Sequence, residues 1–573
     1  MISWDINITP RHTLFACLLL VSLILAVYYP ALLSGIHSVD DPGIVNLYSS
    51  SPPLSQILLP GHGYYYRPLL ELTFWLDNAL WGMEPRVMHL ENILLHCLNT
   101  LLVFLLARTA CRGQGDGVSF WAGILAAVVF ALHPVNVEAV AWIAGRSDLL
   151  LTLFALAAWF VWLRWLSSPR WRDLALALLL LLAALLTKET ALAAGGVFLL
   201  LALVWAGAAS LRQRAGALGL MAAPALLVVL TALLFHSGTS ALSRFSSATA
   251  LRQWRALGDA LVALGFYAGK LVWPLPLNFA ITEADPRLAF LGALLLPALA
   301  WLFVRRRVAA AWFAAALLMV LPAVLVAVNQ VAWTPYAERY LYLPCACSAV
   351  AVAPLVPMRL QASRPLLWAL LGVLVLSCSA VDLKRTLLWQ DKPAFFEEAV
   401  RRSPGFGSVY NELGGQLLQH DRVPEAAEAF ATAQRFNKRE SMRLLIKANL
   451  LGVAFAREDY LGVRTQFFQT FKTKQEANAD FLELLQKADS RRLTTLSGEK
   501  KVALTLDILE TLDLLGKKRY DPFWFYRSGQ LCLAIGDKAR AAEFFSRAYR
   551  LAPADSHYRQ PAALYLRKLG SVP

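Results

Sequence analysis

LFACLLLVSLILAVYYPALLSGIHSVDDPGIV, Leu14 to Val45, decides how the rest of the chain is read. Leu14 to Leu33 carry no charge and reach the length of a bilayer core, so they read as a membrane-spanning helix. Two adjacent carboxylates, Asp40 and Asp41, follow where that helix leaves the membrane. Acidic groups at the mouth of an apolar bundle cost free energy unless they are solvated or paired, which points to function. Asp before Pro-Gly is equally the chemistry of a turn and a helix N-cap.

Outward from this stretch, the 573 residues are 58% hydrophobic and only 16% charged, which excludes a soluble enzyme and a disordered chain. The polar residues are unevenly spread: 1–382 is a succession of apolar runs, and 383–573 reads as a separate helix-rich domain. The fold class is therefore all-α, a polytopic transmembrane bundle followed by a helical repeat domain. The net charge of +15 is explained by short Arg-rich loops and anionic lipid, without nucleic acid. No cleavable signal peptide is expected, since the first apolar run is long enough to span. Of seven cysteines only Cys532 lies in the tail, so no disulfide framework is expected.

About eleven spans are expected, at 14–33, 89–107, 119–133, 149–165, 172–187, 190–207, 217–235, 287–304, 308–328, 341–357 and 365–382. Arg108 and Arg112, Arg164, Arg170 and Arg172, Arg212 and Arg214, Arg305 to Arg307, and Arg359 and Arg364 fall on alternate loops, which the positive-inside rule makes cytoplasmic. The opposite loops then face outward with the C-terminal domain. Residues 259–280 are apolar enough to span, yet counting them would invert this alternation, so they read as an outward re-entrant or interfacial segment that suits Pro274 and Pro276.

The tail carries two units with tetratricopeptide spacing. One places Tyr410, Leu413, Gly414, Ala426, Phe430 and Ala433, and the other Phe525, Gly529, Ala541, Phe545, Ala548 and Pro553. Small residues there let paired helices approach closely while aromatics fill the gap. Residues 440–520 read as helical but degenerate, and a generic helical bundle is the plainer alternative.

Four outward polar groups follow from the orientation. In HPVNVEAVAWIAGRSD, His133, Glu138, Arg146 and Asp148 form either a phosphate-binding set or a local ion pair. In LLTKET, Lys188 and Glu189 form a tight-turn pair or offer a point charge to a lipid phosphate. In TPYAERYLYLP, Glu338 and Arg339 offer bidentate phosphate recognition or, with Tyr340 and Tyr342, an interfacial belt. On the second span, His89, Asn92, His96 and Asn99 share one helical face and read as an interhelical hydrogen-bond seam, with His89 at the outer end as a site candidate. There is no glycine-rich nucleotide loop, HExxH, GxSxG or CxxC pair; Asp40, Asp41, His37 and His133 offer metal ligands at no fixed spacing, so no metal is assigned.

Several segments together resemble the transmembrane and tetratricopeptide-repeat-containing (TMTC) proteins: the DD after the first span, YYRPLLELTFWLDNALWG…HLENILLHCLNTLLVFLL, FALHPVNVEAVAWIAGRSDLL, LLTKET, AERYLYLP and WQDKPAFFEEAVRRSPG. The resemblance covers most of 28–435 in order; the loop at 236–258 matches nothing in it. It implies a GT-C glycosyltransferase that takes a single sugar, mannose or another hexose, from a polyprenyl-phosphate donor to protein Ser/Thr hydroxyls. Asp40 or Asp41 would then be the general base. Arg146, Lys188 and Arg339 would hold the leaving lipid phosphate. Arg67, His89, His133, Glu138, Asp148, Glu189 and Glu338 would shape the pocket. Displacement would invert the anomeric centre. No cofactor beyond the lipid-linked donor is implied, and the repeats would engage the acceptor protein. The setting would be a bacterial inner membrane with the repeats in the periplasm, or the endoplasmic reticulum of a eukaryote. Three alternatives stay open: an oligosaccharyltransferase or O-antigen-ligase-like enzyme using lipid-pyrophosphate glycan, a membrane-anchored repeat scaffold, and, with no internal duplication to support it, a transporter.

Overall fold

Apolar runs in a bilayer must satisfy their own backbone groups, and helices carry most of the described residues. The computed structural model describes residues 8–59, 66–234, 253–355, 364–437, 440–518 and 521–570; Arg359 and most of the loop at 236–258 lie outside them. Among the described residues the only extended pairing is an isolated bridge between Ile281 and Tyr336. The fold is all-α, as expected, in two compact units that divide after Ser403.

The first unit holds α1 (Pro10–Tyr28), extended by a 3₁₀ turn to Leu33, then α2 (Asp41–Ser49), α3 (Leu54–Leu58), α4 (Pro68–Trp81) and α5 (Pro85–Ala110). After these come α6 (Asp116–Ala131), α7 (Val137–Ala141), α8 (Arg146–Ser167), α9 (Trp171–Leu185), α10 (Ala191–Val204) and α11 (Leu211–Leu234). It closes with α12 (Gln253–Val272), α13 (Leu288–Arg305), α14 (Arg307–Asn329), α15 (Tyr342–Val352), α16 (Arg364–Gln390) and α17 (Lys392–Arg402). Among the described residues six of its helices are long and apolar enough to cross a membrane, or seven if α6 and the bent segment after it count as one. Against the eleven expected places, α9, α10 and α15 have 15, 14 and 11 residues, shorter than a bilayer core demands. Residues 259–272 fall within α12, and Pro274 and Pro276 follow its end, where their fixed φ and missing N–H stop a helix.

Large indoles organise the core. Trp159 and Trp162 on α8 are fully buried and donate to the carbonyls of Ala194 (3.3 Å) and Phe198 (3.1 Å) on α10. The polar face of α5 is a seam. Asn92 donates to Trp142 O (2.8 Å), Asn99 to Leu149 O (3.0 Å), and His96 bonds the Tyr342 hydroxyl (2.7 Å) and Ala131 O (3.0 Å). The unit runs on past residue 382 because α16 does, and because Trp389, Phe395 and Phe396 bury themselves against His37.

The second unit is α18 (Gly407–Gln419), α19 (Val423–Phe436), α20 (Glu440–Ala456), α21 (Tyr460–Thr470), α22 (Ala479–Leu493), α23 (Gly498–Lys518), α24 (Phe523–Ala534), α25 (Lys538–Leu551) and α26 (Arg559–Lys568). At both repeat-like pairs glycine meets aromatic. A Cβ on Gly414 would lie 2.7 Å from the Phe430 ring, and one on Gly529 2.8 Å from Phe545. Ala426, Ala433, Ala541 and Ala548 are fully buried beside them.

Candidate active site

The loop leaving α1 turns sharply into α2, and the two aspartates part company there. Asp41 opens the helix and is fully buried. Its Oδ2 accepts from the His37 N–H (2.9 Å) and its Oδ1 from the Ala144 N–H (3.1 Å), so it ties the loop to the segment before α8. Trp142 adds a third tie, donating to Val39 O (3.2 Å). Burial pushes the Asp41 carboxyl up to about 7, against the two amide bonds. Asp40 sits one residue earlier with φ 64° and ψ −42°, backbone that a non-glycine residue seldom adopts, and its side chain is exposed. Desolvation by the surrounding protein raises its carboxyl, while the charges of Arg339 and Arg67 pull it down.

Those two arginines belong to a set of ion pairs drawn from separate stretches of the sequence. Arg67, at the start of α4, grips Glu189 through both Nε (2.9 Å) and Nη2 (2.6 Å). The neighbouring Lys188 is buried and bonded to Asp148 Oδ1 (2.6 Å). Burial pulls its ammonium below the ordinary value, with Asp148 opposing. The second oxygen of Asp148 is buried and, among the described residues, has no hydrogen-bond partner. Arg339 donates from its backbone (3.1 Å) and its Nη1 (2.5 Å) to Glu138. Its guanidinium lies 5.1 Å from the Trp142 ring centre and 4.9 Å from that of Tyr340. Burial works against that charge, but Tyr340 and Glu138 outweigh it and hold Arg339 charged.

The remaining sequence candidates are held by other partners. Arg146 is 1% exposed, and its donors are taken by Asp77 (2.7 Å), Glu91 (2.9 Å), Asn92 (3.3 Å), Thr73 (3.4 Å) and Met88 O (3.2 Å). Phe74 covers its face at 4.7 Å. It therefore pairs with neither Asp148 nor Glu138. Glu338 is buried with Lys270 (2.7 Å) and the Asn278 N–H (3.0 Å), and burial pushes it up to about 7. His133 bonds Leu271 O (3.0 Å) and accepts from the Val135 N–H (3.4 Å), capping the bend after α6. His89 holds the loop at Gly35 O (3.0 Å). His37 is enclosed by Trp142, Phe279, Trp389, Phe395 and Phe396. Among the described residues, no three His, Cys, Asp or Glu side chains gather as a metal site.

Sequence reasoning passed over Glu71, Asp77 and Lys270. Glu71 is hydrogen-bonded to Tyr48, and burial pushes it up to about 7 while Arg67 opposes. Each is a charge set in an apolar run of a helix, LLELTF, WLDNAL and YAGKLV, and that setting was the available signal.

Chemically, the cluster offers one exposed carboxylate, Asp40, within the electrostatic reach of Arg339 and Arg67, and an ammonium, Lys188, in the same set of pairs. Part of the chain is similar to known proteins. It is 43% identical over 134 residues to Protein O-mannosyl-transferase Tmtc1 of Drosophila melanogaster, covering 23% of this chain and 15% of the relative. It is 39% identical over 147 residues to Protein O-mannosyl-transferase TMTC1 of Homo sapiens, covering 23% and 16%. It is also 34% identical over 135 residues to human TMTC3, covering 23% and 14%. The matches thus span only about a seventh of these curated relatives. No protein-family model matches the chain. Over the matched stretches the chain is similar to proteins named TMTC O-mannosyl-transferases.

Proposed function

We propose that this TMTC-related, multi-pass membrane chain is a glycosyltransferase acting on protein, which moves a single hexose from a polyprenyl-phosphate carrier to a Ser or Thr hydroxyl. The observation that carries the reading is the division of labour between Asp40 and Asp41. Asp41 spends both oxygens on backbone amides and fixes the loop. Asp40 is left exposed, under the pull of Arg339 and Arg67. A carboxylate so placed accepts the proton of an attacking hydroxyl.

The attacking oxygen forms its bond to the anomeric carbon as the bond to the lipid phosphate oxygen breaks, and its proton passes to Asp40. A phosphate is already a good leaving group, so charge stabilisation suffices. Arg339 offers a planar fork and Lys188 a point charge. Arg146, enclosed by α4 and α5, acts through packing. The unpartnered oxygen of Asp148 is an acceptor that a sugar hydroxyl can satisfy. We place the site on the extracytoplasmic side, from the positive-inside reading of the loops, with the repeat unit engaging the acceptor.

The test is transfer by the purified full chain, given polyprenyl-phosphate sugars one at a time with peptide acceptors and read by mass spectrometry of the product. A single added hexose with inverted anomeric configuration, lost in Asp40→Asn, is expected. A retained anomer, or transfer undiminished in Asp40→Asn, overturns the assignment. Transfer of a whole glycan from a lipid pyrophosphate favours the oligosaccharide enzyme instead.

A further inference from the structure

We infer that the groove between α10, α13 and α14 holds an acyl chain of an anionic phospholipid whose headgroup rests on Arg305, Arg306 and Arg307. The groove encloses about 300 Å³, and its lining is wholly apolar, with Leu200 and Leu203 from α10, Leu296 and Phe303 from α13, and Ala311 from α14. Leu203 and Leu296 are each 69% exposed, so the groove faces the bilayer. Its inner limit is a tight contact, since a Cβ on Gly196 of α10 would lie 2.6 Å from Leu318 of α14. The groove lies one to two turns further along, at the end where α13 turns into α14.

That turn is Arg305–Arg306–Arg307. All three are exposed, and among the described residues none has a carboxylate partner. Phe303 and Ala310, which both line the groove, flank the turn on either side. At the other end of the bundle, by contrast, Arg67, Lys188 and Arg339 are each matched by an acid. Uncompensated guanidiniums at the mouth of an apolar slot match a lipid with a phosphodiester and net negative charge. The positive-inside rule assigns this turn to the cytoplasmic leaflet, where anionic lipids lie. A zwitterionic lipid brings the same chain without the net charge, so headgroup discrimination is the signature. The inference does not rest on the transferase reading.

Native mass spectrometry of the full chain, titrated with phosphatidylglycerol or phosphatidylcholine in detergent, tests it. Preferential retention of phosphatidylglycerol is expected. Each Arg→Gln change at 305–307 should weaken it about fivefold, and the triple change about a hundredfold. Ala300→Trp starts from an exposed position, sparing the fold, and should expel the lipid with the arginines intact. Equal retention of both lipids overturns the inference. So does a preference that survives the triple change, or a phosphatidylglycerol affinity untouched by Ala300→Trp. Self-association that disappears with Ala300→Trp, without lipid selectivity, assigns the groove to a second copy and also overturns it.

Discussion

Arg146→Met removes the guanidinium between Asp77 and Glu91 while keeping much of its apolar reach. The two acids fare differently. Glu91 has a side chain 32% exposed and can rehydrate, but that of Asp77 is 3% exposed and is left as an unpaired buried charge. Breaking one side of such a pair costs about 3–5 kcal/mol, mostly the stranded partner. Adding Asp77→Leu removes that partner, and the double variant should recover most of the loss, since apolar replacement of a buried pair is near neutral or better. Unfolding of the full chain in detergent by chemical denaturant measures both. Donor KM separates positioning from phosphate contact, because the repaired double variant should keep it close to the parent's. A cost below about 1 kcal/mol for Arg146→Met, or a stable double variant whose donor KM has risen sharply, refutes the structural assignment of Arg146.

Asp40→Asn should lower transfer by about 10²–10⁴-fold with little loss of stability, read by single-turnover kinetics beside a melting curve. Asp40→Gly should likewise abolish transfer yet stabilise the fold by about 1 kcal/mol, because glycine tolerates the positive φ. Asp41 has a folded pKa of about 7 against an ordinary value of 3.8, so the folded state binds the proton more tightly. Its stabilising contribution is therefore full below about pH 4 and is lost as pH rises to 7, by at most about 4 kcal/mol. Glu71 and Glu338 carry the same sign, so denaturation from pH 4 to 8 should show a falling stability that Asp41→Asn makes shallower. Gly414→Ala should force its Cβ into the Phe430 ring at a cost of about 1–3 kcal/mol, seen as faster hydrogen exchange in α18 and α19 of the full chain.

What the sequence made legible was whatever repeats along it. The spacing of His89, Asn92, His96 and Asn99 placed them on one face, and the structure joins all four to backbone carbonyls of other elements. Glycine opposite phenylalanine marked the paired helices of the tail for the same reason. Ion-pair partners were not legible. Arg146 lies two residues from Asp148 but finds Asp77, 69 residues away, and Arg339 finds Glu138, 201 residues away. Charges next to each other on a helix point to different neighbours, so adjacency in sequence selects the wrong partner. Hydropathy measures an apolar run and not the helix that forms within it, so α10 stops at Val204, short of the run that suggested it. The limit at 382 failed to register the aromatic cluster at Trp389, Phe395 and Phe396, whose rings close around His37 beyond the apolar stretch.

The pairing of Arg339 with Glu138 and of Lys188 with Asp148 has a consequence for turnover. Each cation is already neutralised by an internal counterion, so in the proposed reaction an incoming phosphate would exchange one anion for another. Little small-ion uptake or release accompanies that exchange, and affinity should respond weakly to bulk salt. The displaced carboxylates stay tethered within reach of their cations. In the proposed transfer they would compete with the spent lipid phosphate once the glycosidic bond has formed, so that the site would reset by expelling it.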